Sequence, residues 1–219
     1  MSDRSGLFLT FEGAEGVGKS TQARLAAEFL RSRGVQVVET REPGGTAMAE
    51  RIRELVLHGA TPDEPLAPRA ELLLMFAARA QHLAAKIEPA LAAGQWVICD
   101  RFTDATEAYQ GSGRGLGERV IRQLEQIAQG NRRPDLTLLL DADPAVTGPR
   151  RSSRGGMQDR FEREDEAFFT RVRAGYLEIA RREPGRVRLV DASGPIADVQ
   201  RCIETVLVEA LEARTSGRE

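Results

Sequence analysis

Cysteine is nearly missing from this chain. Cys99 and Cys202 are the only 2 in 219 residues, and they stand far apart with no CxxC or His-rich spacing. That pattern excludes a disulfide framework and a zinc site, and both residues read as small buried hydrophobes. An excess of either charge is also lacking, with 31 Lys and Arg against 33 Asp and Glu. So balanced a field gives no general attraction to nucleic acid or to an anionic membrane, so any anion has to be bound locally. Long apolar runs are absent too. The opening Met1-Ser2-Asp3-Arg4-Ser5-Gly6 is polar and Glu12 interrupts the apolar stretch after it, so neither a signal peptide nor a membrane span fits and a cytoplasmic location is expected. No internal repeat is visible, and the length requires no second domain, so residues 1–219 are read as a single domain.

What is present is an alternation of short apolar runs with helix-length segments. Strands are expected at Leu7–Glu12, Val35–Thr40, Trp96–Cys99, Leu136–Leu140 and Val187–Val190. Helices are expected from Lys19, from Thr46, and near Pro68, Thr103, Gly117, Pro144 and Arg163, with a last one from Pro195 to about Arg214. This is the signature of an α/β fold in which about five parallel strands are flanked by helices in three layers. The stretch Pro149–Gln158, PRRSSRGGMQ, is rich in Arg, Gly and Ser and poor in apolar residues, so it is expected to leave the core as an Arg-rich excursion.

The first strand runs into Gly13-Ala14-Glu15-Gly16-Val17-Gly18-Lys19-Ser20 and then a helix, the context that the GxxxxGK[ST] phosphate cradle needs. The glycines let the backbone approach a phosphate, the N–H groups of the turn point inward, and the helix N-terminus adds partial positive charge. Lys19 is expected to reach the β- and γ-phosphates of ATP. Ser20 offers a hydroxyl to Mg²⁺, and Thr21 follows in the same first turn. The cradle predicts a P-loop NTPase-type fold but not a reaction, because GTPases, ATPases and many transferases share it.

Open α/β sheets bind ligands beyond the carboxyl ends of their strands, where Arg41, Asp100 and Asp141 all fall. Asp100 can hold the waters around Mg²⁺, and Arg101 after it can grip a monophosphate through two parallel hydrogen bonds. Glu12, beside the cradle, is read either as a functional carboxylate or as an acceptor of loop N–H groups. In the third helical segment Arg79 lies three residues from Phe76 and four from Met75, so either can share its face and frame a base. Thr106 and Tyr109, also three apart, present a hydroxyl and a ring edge to one cleft, with Gln110 beside them.

Several blocks in one order carry a resemblance. They are Arg41-Glu42-Pro43-Gly44-Gly45-Thr46, Met75-Phe76-Ala77-Ala78-Arg79-Ala80-Gln81-His82, Asp100-Arg101-Phe102 and Ala108-Tyr109-Gln110-Gly111. Arg114-Gly115-Leu116, Arg133-Pro134-Asp135 and Asp159-Arg160-Phe161-Glu162 continue the series. With the cradle, they resemble bacterial thymidylate kinases over most of the chain. The resemblance implies transfer of the ATP γ-phosphoryl group to dTMP, giving dTDP and ADP, with Mg²⁺ accompanying ATP, and a homodimer. It places Arg101 on the acceptor phosphate, Arg41, Thr106, Tyr109 and Gln110 around dTMP, and either Met75 or Phe76 against the base with Arg79. It sets Glu15 against the deoxyribose 3′-hydroxyl or an acceptor-side magnesium. Gly16 stands where one subtype of the family carries an arginine, which implies that the catalytic arginine sits in a lid over about 149–160, at Arg151 or Arg154. Two rival readings remain at this point: another nucleotide or deoxynucleoside kinase, or a P-loop switch or regulatory ATPase without a small-molecule acceptor.

Overall fold

The computed structural model describes residues 6–61, 63–152, 160–161 and 163–216. The apolar runs form β1 (Phe8–Glu12), β2 (Val37–Arg41), β3 (Trp96–Asp100), β4 (Leu136–Asp141) and β5 (Val187–Asp191). All neighbours pair in parallel, in the order β2-β3-β1-β4-β5. The connecting helices are α1 (Lys19–Ser32), α2 (Ala47–His58), α3 (Pro68–His82), α4 (Glu88–Ala92), α5 (Thr103–Thr106), α6 (Glu118–Gln129), α7 (Pro144–Ser152), α8 (Glu166–Arg182) and α9 (Ile196–Ser216). Leu83–Ile87 and Glu107–Gly113 are wound as π-helix.

Every residue of β1 is buried, as a central strand covered on both faces requires. Its alternation sends Leu9 and Phe11 towards Ala26 and Leu30 of α1 and Ile203 and Leu207 of α9. Phe8 turns to the opposite face, against Ile87, Leu91 and Phe102. Thr10 and Glu12 share the face of Phe8, so polar groups are carried inside, and they are tolerated there because they are hydrogen-bonded. The Thr10 and Thr137 hydroxyls lie 2.7 Å apart. Thr137 donates to Asp104 Oδ2 at 3.2 Å, and Arg186 grips both oxygens of Asp104 at 2.7 and 2.9 Å.

Three expectations shift. The helix anticipated near Arg163 begins at Glu166, because the Asp165 carboxylate accepts from Phe168 N at 2.6 Å and caps it. The excursion expected from Pro149 starts later, since α7 continues through Ser152, and residues 153–159 lie outside the described residues. Cys99 is buried but Cys202 is exposed, because α9 turns Val199 and Ile203 inward and leaves Cys202 on its outer face.

Candidate active site

Strand register lays the floor of the site. Phe11 of β1 and Arg41 of β2 both pair with Asp100, so three strands end level and their following loops open on one edge. Gly13 leaves β1 at φ 135° and passes so close to β4 that a Cβ there would lie 2.2 Å from the Leu140 carbonyl oxygen. Gly18, at φ 92°, opens α1 without a side-chain cap, which leaves the first N–H groups of that helix for an anion.

Lys19 is buried, with Nζ donating to Ala14 O at 2.8 Å across the loop. Burial, followed by the nearby Arg101 charge, lowers its pKa to about 8 against the opposing pull of Glu15, Asp100 and Glu12. Ser20 Oγ donates to Asp100 Oδ2 at 2.5 Å, while Asp100 Oδ1 is buried with no hydrogen-bond partner. A hydroxyl beside a carboxylate oxygen with open lone pairs is the donor set a hydrated Mg²⁺ takes, so the residues present fit that ion.

Arg101 connects the cradle to the neighbouring cavity. Its φ of 71° is the only positive value at a non-glycine among the described residues, and it turns the side chain away from the sheet. Nη1 donates to Gly13 O and to Tyr176 OH, each at 3.1 Å. Nη2 donates to Glu15 Oε1 and, at 2.9 Å, to Tyr109 OH, and the guanidinium carbon lies 4.7 Å from the Tyr109 ring centroid. Burial opposes the charge, but Tyr109, Glu15, Tyr176 and Asp100 outweigh it and raise the pKa well above that of an ordinary arginine. Tyr109 OH in turn donates to Glu15 Oε1 at 3.2 Å.

Glu12 lies behind this group, fully buried. Oε1 accepts from Phe102 N at 2.7 Å and Ala105 N at 3.3 Å, and Oε2 accepts from Tyr176 OH at 2.8 Å. Of its two readings, these bonds match that of an acceptor of loop N–H groups. Burial first and Asp104 second push its carboxyl up to about 8, against Arg101, Tyr176 and Phe102.

The cavity beyond Arg101 is lined by Glu15, Glu42, Pro43, Arg53, Leu57, Met75, Ala105, Tyr109 and Phe161, and a smaller pocket that shares Glu42, Pro43, Met75 and Ala105 with it is lined also by Arg79, Phe102 and Thr106. Met75 therefore lies on the wall. Phe76 does not: it packs with Leu72 and Ile121 between α3 and α6, its ring centroid 4.9 Å from the Arg79 guanidinium carbon that it supports from behind. Gln110 also turns away, donating from Nε2 to the buried Glu71 at 2.5 Å. Arg41 is solvent-exposed and pairs with Glu50 at 3.0 Å, outside the residues that line the cavity. The cation that α2 sends to the cavity is Arg53, whose Nη1 donates to Pro43 O at 3.0 Å. Thr106 Oγ1 accepts from Arg79 Nη2 at 2.9 Å.

Sequence reasoning missed Arg53, Phe161 and Tyr176. Arg53 sits in a stretch with several charges, Phe161 carries no signal beyond its place in the block Asp159-Arg160-Phe161-Glu162, and Tyr176 falls on the same helical spacing as the core residues Val172 and Ile179. Arg150, by contrast, is described: it donates to Ala192 O at 3.0 Å and Ser193 O at 3.1 Å, tying α7 to the loop after β5. The side chain of Arg151 and all of Arg154 lie outside the described residues.

Comparison with known proteins agrees along nearly the whole chain. A family model described as Thymidylate kinase matches residues 11–203. A thymidylate kinase of Pseudomonas syringae pv. syringae is 58% identical over 208 residues, covering 95% of this chain and 98% of the relative. One from Methylococcus capsulatus is 56% identical over 200 residues, covering 91% and 94%. The crystal structure of thymidylate kinase from Ehrlichia chaffeensis superposes with a TM-score of 0.73 at 36% identity, covering 93% of this chain and 98% of that one.

Proposed function

Since the chain belongs to the thymidylate kinase family and phosphorylates dTMP with ATP, giving dTDP and ADP, we propose how its residues divide that work. On the donor side, Gly13, Ala14, Glu15, Gly16, Val17 and Gly18 hold the triphosphate with their backbone, joined by Lys19, Ser20 and Thr21. Ser20 and Asp100 would hold Mg²⁺, which when bound would neutralise charge on the phosphates. On the acceptor side, Arg101 and Arg53 hold the 5′-phosphate of dTMP, Tyr109 and Phe161 bound the sugar, and Met75, Arg79 and Thr106 meet the base. The observation that carries this division is Arg101, a single guanidinium bonded at once to the cradle at Gly13 O and Glu15 and to the cavity wall at Tyr109. A cation at that seam touches the acceptor phosphate while facing the γ-phosphate, where charge stabilisation matters most in phosphoryl transfer.

Arg151 and Arg154 supply further charge from the lid, since the cradle itself has Gly16 and no arginine. A coupled assay for ADP tests the assignment. ADP should form only when dTMP is present, stop when Mg²⁺ is chelated, and form about 10² times more slowly when both lid arginines are alanine, with Michaelis constants little changed. Wild-type turnover in the double variant would refute the lid assignment, and equal turnover of UMP or dGMP would point to a broader nucleotide kinase.

A homodimer is the assembly that the surface favours. Between α3 and α6 a groove floored by Leu72 and Leu124 is edged by Leu73, Val120 and Ile127, which are 55%, 43% and 81% exposed. A contiguous apolar face of this kind marks an interface, and a second copy covers it with the same face related by a two-fold axis. Among the described residues no helix is long and apolar enough to cross a membrane, so a bilayer-spanning role does not compete for it. Sedimentation should return about twice the 24.0 kDa of the chain, and Ile127→Asp should shift it to monomer. A monomer at every concentration would rule the dimer out.

A further inference from the structure

A buried polar chain runs from Thr40 through His82 to Glu42 and Arg79, and of these Glu42 and Arg79 line the acceptor cavity while His82 and Thr40 stand behind it. Arg79, 2% exposed, uses Nε on Glu42 Oε2 at 2.7 Å and Nη2 on Phe102 O at 3.2 Å and Thr106 Oγ1 at 2.9 Å. Its remaining nitrogen, Nη1, is buried with no hydrogen-bond partner, and Arg79 lines the smaller pocket adjoining the cavity with Met75 and Ala105. Leaving a guanidinium N–H buried and unmatched is costly, so an acceptor is to be expected there when the cavity is filled.

Glu42 fixes the direction of that nitrogen, and Glu42 does not stand alone. Its second oxygen, Oε1, lies 3.0 Å from His82 Nδ1, and His82 Nε2 lies 2.6 Å from the Thr40 hydroxyl. A carboxylate accepts only, so Nδ1 carries the hydrogen and donates. Held by one bond, a carboxylate rotates about its own axis; held at both oxygens, its plane is set. His82 is itself closely packed: it is fully buried, and Gly45 approaches so closely that a Cβ there would lie 2.4 Å from Nε2 and 2.5 Å from Thr40 Oγ1. Arg79 and His82 are three residues apart on α3, so one helix face presents both to Glu42 from the β2–α2 connection.

We propose that His82 is a positioning residue for acceptor choice: through Glu42 it aims Arg79 Nη1 at a carbonyl oxygen on the pairing edge of the acceptor base. A guanidinium can only donate, so this arrangement selects a base that offers an oxygen there over one that offers an amino group. The inference rests on the reading that Arg79 meets the base. Thymine satisfies it, whereas 5-methylcytosine, with the same methyl group, presents an amino group in place of the oxygen.

Steady-state kinetics with dTMP and 5-methyl-dCMP test it. His82→Leu should raise the dTMP Michaelis constant roughly 10- to 50-fold and erase most of the preference over 5-methyl-dCMP, with the ATP constant within about twofold of wild type. His82→Asn, whose side-chain amide can donate where Nδ1 did, should restore most of both. Thr40→Val, which removes only the outermost link, should move the same two quantities in the same direction by about threefold, and it decides the matter should His82→Leu fail to fold. Arg79→Lys is the reference for the underlying reading. If Arg79→Lys lowers the preference while the His82 and Thr40 variants keep it, the positioning role is wrong and the base contact stands. If Arg79→Lys keeps the preference, the base contact itself is wrong and the inference falls with it.

Discussion

Arg101→Ala should raise the Michaelis constant for dTMP by about 30- to 1000-fold, the range in which losing one partner of a buried, hydrogen-bonded charge cluster falls. The size follows from what the guanidinium holds. It bonds Gly13 O, Tyr176 OH, Glu15 and Tyr109 OH, and it stacks on the Tyr109 ring. Removing it withdraws the acceptor's cation and also leaves Glu15 without that counter-charge at the lip of the cradle, so the ATP constant should rise too, by a smaller factor. Arg101→Lys should recover little, because one ammonium cannot span four partners lying on two sides of the group. The backbone reinforces the point: at φ 71° a side chain other than glycine is strained, and that strain is retained where the direction it gives to the side chain is needed. Steady-state kinetics at varied dTMP decide it, and an unchanged dTMP constant would remove Arg101 from the acceptor site.

The nucleotide-free protein should show a minimum in stability near pH 8, produced by two groups with opposite slopes. Glu12 is raised from 4.5 in the unfolded chain to about 8 in the fold, so the folded state holds a proton that the unfolded state has lost across that window. Its contribution is whole below pH 4.5 and is lost as pH rises through about 8. Lys19 is lowered from 10.5 to about 8, so between those values the unfolded chain binds the extra proton and stability recovers as pH rises. Each tenfold change in proton affinity is worth about 1.4 kcal/mol, which puts each limb on the order of a few kcal/mol. Urea denaturation across pH should trace the two limbs. Glu12→Gln keeps an acceptor for Phe102 N and should flatten the lower limb, while Lys19→Met should flatten the upper one. A Glu12→Gln profile parallel to wild type would show that this carboxyl is ionised at neutral pH in the fold.

How far the sequence could be read depended on how local each feature is. The cradle is eight consecutive residues between a strand and a helix, and its glycines, Lys19 and Ser20 could be named with their roles. The strand count followed from apolar runs, and the strand boundaries differ by two residues or fewer. Arg101 was legible because it directly follows a strand end. On α3 the sequence offered both Met75 and Phe76 as partners of Arg79, and helical spacing could not separate them. Only the packing of α6 against that helix, with Ile121 on Phe76, leaves Met75 on the cavity. The sequence pointed to Arg41 at the end of β2 and gave no sign of Arg53, which the turn of α2 brings to the cavity while Arg41 pairs with Glu50 outside it.

The sequence by itself determined an α/β sheet with a phosphate cradle after its first strand, because strand propensity, glycine torsions and helix capping act over a few residues. The tertiary structure alone decided what surrounds the cradle. Arg101 meets Glu15 from 86 residues away, and Tyr176 meets Glu12 from 164. Such pairings have no local signal: they exist because parallel register brings the carboxyl ends of β1, β2 and β3 level, and because burial then obliges each charge delivered there to find a partner.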